Sequence, residues 1–198
     1  MNDEQTTWYI HEIFLHVIGL QIAFDMLINT ISDPKLFQTR LVWVHTTTLL
    51  SHAAMISKYT NTSSKNSTAK NRAQLLASIL NIDQASPIYS RTVRNSVEHF
   101  DERMDSWLSQ SVSAIVETVF PTRDYFNYMT RRSPKIKRAF IAEDMVFITE
   151  DKNGAYIETD ILPLVAESER IGIEAEKWIN DNSPYQFIYP QVHDNEEE

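Results

Sequence analysis

From Thr6 to Ile31 the apolar residues Ile10, Phe14, Val17, Phe24, Leu27, Ile28 and Ile31 return at helical spacing. A 3.6-residue period sustained that long predicts one long helix with a broad buried face, and such a face needs other helices to cover it. The pattern therefore points to a mainly α fold. With 198 residues and 42% hydrophobic content, the chain suits one compact domain better than two.

Local signals divide the rest. Asp33 as N-cap and Pro34 in the first turn predict a second helix running to about Tyr59. Residues 60–68 hold Asn, Thr, Ser and Lys without an apolar anchor, so they read as an exposed loop before a shorter helix over 69–80. Ser86-Pro87 repeats the start signal ahead of Val93, Val97, Phe100, Met104 and Trp107, which form a core seam on a helix reaching about Gln110. Met145–Glu150 and Ala155–Asp160 flank Asn153-Gly154, a dipeptide suited to the positive φ angles of a tight turn, and predict a two-stranded hairpin. Met145, Phe147, Tyr156 and Ile161 are its expected contacts with the helices, and a last helix follows over 164–180.

The absence of cysteine excludes disulfides and thiolate metal sites. His11, Glu12, His16, Gln21 and Asp25 interrupt the first apolar stretch, and the chain starts Asn-Asp-Glu after Met1, so the expectation is a cytoplasmic protein without a membrane partner. The net charge is −9, concentrated in 143–198, where 15 acidic residues face three basic ones. Two basic stretches remain: Lys58, Lys65, Lys70, Arg72, Arg91 and Arg94, then Arg123, Arg131, Arg132, Lys135, Lys137 and Arg138. Brought together they would make a phosphate-facing surface; kept apart they are ordinary solvated faces. Only three glycines are present, and no Gly-rich phosphate loop occurs. His11, His16, His45 and His52 read as structural or surface residues, with His45 and His52 two turns apart and too distant to share a metal by themselves.

The segment Arg94-Asn95-Ser96-Val97-Glu98-His99 is where the chemistry concentrates. At about 100° per residue from Val93, Arg94 falls near 100°, Asn95 near 200° and His99 near 240°, all away from the seam. The bland reading is a solvated face laced by the i,i+4 pairs Arg94–Glu98 and His99–Arg103. The same residues resemble the HEPN superfamily, helical nucleotide- and RNA-related domains marked by an Arg, a polar residue and a His after four to six intervening positions. The resemblance implies a HEPN-like helical bundle over 1–120, with 121–198, the small C-terminal β-hairpin and the additional helix, as an elaboration of the same domain. It further implies a metal-independent, cofactor-free endoribonuclease, a toxin or defence effector with RNA as substrate and a cognate inhibitor protein as partner. His99 would move protons between the 2′-hydroxyl and the leaving 5′-oxygen, Arg94 would stabilise charge on the phosphate, and Asn95 would orient His99. One chain supplies one Arg–His pair, so the implied site is shared by a two-fold homodimer. Asp101 stands where several relatives of this type carry a modifiable tyrosine, and Glu98, Asp101, Glu102 and Asp105 repel phosphate. These carboxylates favour the alternative, a catalytically silent HEPN-like RNA- or protein-binding module.

Overall fold

In the computed structural model, residues 3–90, 93, 100–109, 116–132, 136–151 and 154–183 are described. They are mostly helical, with six α-helices and a four-stranded sheet among them. Helix α1 (Asp3–Ser32) covers the expected stretch, with Ile10, Val17 and Leu27 buried and Phe14, Phe24, Ile28 and Ile31 partly buried. Helix α2 (Thr39–Thr60) has its N-cap at Gln38, five residues later than Asp33 suggested. The Asp33 carboxylate caps a single turn, accepting from the Lys35 amide at 2.8 Å, and the chain leaves that turn at Phe37 to reverse direction. Tyr9 packs on Tyr59 and His16 on His52, so the two helices are antiparallel.

Helix α3 (Ser67–Ile79) is capped by Asn66, whose side chain accepts from the Thr68 amide at 2.9 Å. It ends on Asn81 at φ 51° with the Ile82 amide bonded to the Ala77 carbonyl, a Schellman closure that carries Ile82 back into the core. Ser86 and Pro87 do cap a helix, but only the short 3-10 turn Pro87–Tyr89. The next helix bounded among the described residues is α4 (Phe100–Ser109). Of the expected seam, Val93 and Trp107 are buried whereas Met104 is 40% exposed. The seam therefore does not run unbroken along this helix.

The two-stranded hairpin is the outer half of a larger sheet. Strands β1 (Val116–Phe120), β2 (Ile136–Ile141), β3 (Val146–Glu150) and β4 (Tyr156–Asp160) lie in the order 1-2-3-4. The first pair is parallel, joined through helix α5 (Arg123–Arg132), and the other two are antiparallel. Gly154, at φ 83°, closes the β3–β4 turn as its sequence suggested. Helix α6 (Ile161–Asn182) follows β4 at once. It runs back along α1, with Gly172 against Val17 and the Gln21 amide donating to the Val165 carbonyl at 3.3 Å.

Every residue of β2 and β3 is buried, because the sheet is covered on both faces. Phe140 and Phe147 join the helical core, together with Met145 and Ile161. Ala139, Ile141, Val146 and Ile148 form a second cluster beneath Phe126 of α5, with Tyr156 edge-on to that ring at 5.6 Å. Arg138 bonds Glu117 at 2.9 Å and lies 4.5 Å over the Trp43 ring. The Lys137 ammonium meets Glu150 at 2.5 Å with both side chains under 8% exposed. Removing one partner of such a pair strands a charge in low dielectric, whereas replacing both removes the desolvation penalty as well. Glu150→Ala should therefore cost about 3 kcal/mol of unfolding free energy, and Lys137→Met with Glu150→Leu should stay within about 1 kcal/mol of the parent. Chemical denaturation checks it, and a double variant as unstable as the single one would refute it.

Candidate functional site

Arg94, Asn95 and His99 lie outside the described residues. Of the same stretch, Asp101, Glu102 and Asp105 are exposed on α4. Three of the cations in the second basic stretch are engaged in ion pairs. In the second basic stretch, Lys137 and Arg138 are buried in ion pairs, and Arg123 is held by Asp144 at 2.8 Å and Glu158 at 2.6 Å. Arg131 and Arg132 stay exposed, the latter 4.3 Å over the Tyr128 ring, and Lys135 lies outside the described residues. Sequence proximity of cations did not mean a shared surface, because strands place alternate residues on opposite faces.

The structure assembles a different cluster where α1, α2 and α3 meet. The Nδ1 atoms of His16 and His52 are 2.9 Å apart, although the residues are 36 positions apart in the chain. Both were expected to serve only structural or surface roles. Their rings are tilted at 5.2 Å, the His16 ring packs on Tyr59 at 6.0 Å, Tyr59 packs on Tyr9 at 5.8 Å, and the Arg72 guanidinium sits 5.1 Å over Tyr9. Tyr9 and Arg72 line a cleft of about 680 Å³ completed by Gln5, Trp8, Thr68, Asn71 and Leu75. Among the described residues no group of three or more His, Asp or Glu is gathered for a metal ion.

Gly19 makes the histidine pair possible. A Cβ there would stand 2.4 Å from the His52 ring, so a glycine inside α1, ordinarily worth about 1 kcal/mol less than alanine, admits an imidazole against the helix backbone. Gly19→Ala should then destabilise by about 1–2 kcal/mol through overpacking. In a His52→Ala background the same change should stabilise by up to about 1 kcal/mol. The sign change in a double-mutant cycle is the measurement; equal effects in both backgrounds would show that the close approach is immaterial.

The bond between two Nδ1 atoms needs one donor and one acceptor, so a doubly protonated pair cannot keep it. Burial, then the charge of His52, lower the pKa of His16, partly opposed by Glu12; burial also lowers His52. A histidine whose folded pKa is lowered stabilises the fold fully above its ordinary value of about 6.5 and loses that contribution as the pH falls through the folded pKa. The melting temperature should accordingly be level above about pH 7 and decline as pH drops below about 6.5, with a shallower decline in His16→Asn. Identical slopes in the two proteins would contradict this assignment.

No protein-family model matches this chain, and no curated protein or solved structure shows a significant match to it.

Proposed function

We propose that the protein is an interaction module that works as a two-fold homodimer, joined through the outer faces of α1 and α2. The observation that carries this reading is the exposed apolar stripe of α1. Leu15 is 58% exposed, Ile18 42%, Ile22 54% and Met26 51%, at spacings that keep them on one side of the helix. On α2, Val44 and Thr48 are exposed and Leu41 and Met55 partly exposed, and Leu36 and Phe37 are exposed in the segment between the two helices. A second copy seated here would cover these exposed apolar side chains, as the roughly 800 Å² that each partner brings to a standard interface does. A monomer that left a stripe of this size in water would be prone to associate.

By length and composition α1 is also long and apolar enough to cross a bilayer. Its other face is occupied: Ile10, Ile13, Val17, Leu20 and Leu27 are buried in the core. A cytoplasmic dimer accounts for both faces, the inner covered by α2 and α6 and the outer by a second copy.

The second reading is the HEPN-type endoribonuclease, metal-independent, with Arg94 and His99 catalytic and Asn95 orienting His99. The Arg-Asn-x3-His spacing favours it, and the same dimer would bring two such segments within one assembly. The exposed carboxylates of α4 and the internal ion pairs of the second basic stretch favour the silent module. The expected outcome is a dimer by light scattering at micromolar concentration that Leu15→Glu with Ile22→Glu converts to monomer, without RNA cleavage in EDTA. A monomeric parent protein would overturn the dimer. Cleavage of RNA lost in both Arg94→Ala and His99→Ala would replace the silent module by the nuclease.

A further inference from the structure

We infer that the acidic segment 194–198 of this chain docks in the cleft between α1 and α3, with a carboxylate on Arg72. Arg72 has no counterion among the described residues. Its Nε atom is buried without a hydrogen-bond partner, and its guanidinium lies 5.1 Å over the Tyr9 ring. A half-buried cation is stabilised by an anion, and a planar guanidinium held on a ring presents its remaining donors to a carboxylate in a fixed direction. Lys65 and Lys70, exposed at the start of α3, add to the positive field, and neither meets a carboxylate among the described residues. Residues 58–82 contain no Asp or Glu, so nothing local in sequence neutralises that field.

Tether and charge select the occupant. Residues 184–198 lie outside the described residues and hold Asp194, Glu196, Glu197 and Glu198 without one lysine or arginine. Helix α6 ends ahead of Pro184, which cannot continue it, and there Ser183 lies against α1, its hydroxyl 3.3 Å from Nε2 of His11. Tyr9, which carries Arg72 on its ring, is two residues from His11, a rise of about 3 Å along the helix. The segment therefore starts at the level of the cleft and has only to pass around α1, whose diameter with side chains is about 10–12 Å. Residues 184–194 span up to about 36 Å when extended, so Asp194 and the glutamates reach Arg72 with slack. Tethering supplies an effective concentration on the order of millimolar, at which a few charge pairs, each weak alone, hold the contact. A free acidic partner would first have to displace this segment. The inference is independent of the dimer and of Arg94 and His99.

The chain has no cysteine, so Val192→Cys in the full chain takes a nitroxide at one position, and its nearness is read through the amide NMR signals of α3. At about 0.1 M salt the signals of residues 65–75 should lose roughly half or more of their intensity by paramagnetic broadening. Raising the salt to about 1 M shortens the Debye length from about 10 Å to about 3 Å and should restore them. Asp194→Asn with Glu196→Gln, Glu197→Gln and Glu198→Gln alters no residue of the described fold and should abolish the broadening. Arg72→Gln, with unchanged circular dichroism, should reduce it at least about twofold, since the planar fork is lost. Isotopically labelled chains mixed with spin-labelled chains of natural isotope content should show no broadening in this region, because the contact lies within one chain. No broadening at residues 65–75, broadening that survives high salt or the neutralised carboxylates, or full broadening in folded Arg72→Gln would each overturn the docking. Broadening found only between mixed chains would overturn the intrachain occupant.

Discussion

Burial of one side of α1 is the constraint that organises this molecule. Ile10, Ile13, Leu20 and Leu27 are fully shielded, and each such side chain contributes roughly 1.5–3 kcal/mol relative to exposure. No single neighbour can cover 30 residues of helix. Helix α2 takes one flank and α6 the other, and both run antiparallel to α1. The first and last described helices therefore share one core with α2. The sheet is then fixed in place because β4 leads directly into α6, while Phe140 and Phe147 reach the same core.

Within the sheet, charge is handled internally. Lys137 and Arg138 occupy a strand without an exposed residue, which is tolerable only because Glu150 and Glu117 meet them and the Trp43 ring covers one guanidinium. Cations that would otherwise attract a phosphate backbone are thereby neutralised. The net charge of −9 is set by composition, with 15 acidic against three basic residues in 143–198, and the pairing decides only which cations stay available.

The junction of α1, α2 and α3 shows the opposite treatment of polar groups. His16, His52, Tyr59, Tyr9 and Arg72 form a half-buried chain of ring and guanidinium contacts beside an open cleft. Neutral histidines suit this environment and charged ones do not, so the junction is sensitive to acid. The outer apolar stripe of α1 runs beside it, so the same helix carries a core face, a polar junction and an uncovered surface on three sides.

Reading the residues in order revealed what depends on near neighbours. The period of α1 and α2, the loop after Tyr59, the turn at Gly154 and the last helix all follow from contacts a few positions apart. The Ser86-Pro87 signal caps only the 3-10 turn Pro87–Tyr89, because a cap signal marks a start and not a length, whereas the expected helix end near Gln110 agrees with α4 ending at Ser109. Strands β1 and β2 were not foreseen at all. Lysine and arginine in the sequence Ile136-Lys137-Arg138 suggest exposure, and only partners on β1 and β3 make their burial tolerable. The Arg94–His99 spacing was legible as a pattern, whereas the pairing of His16 with His52 had no sequence signal beyond Gly19 inside an apolar helix. Sequence alone thus determined the helical class and the local turns, since these rest on backbone geometry and short-range periodicity. Tertiary structure decided which charges are spent inside, which histidines meet and where a cleft opens, because those contacts join residues whose separation along the chain bears no relation to their distance in space.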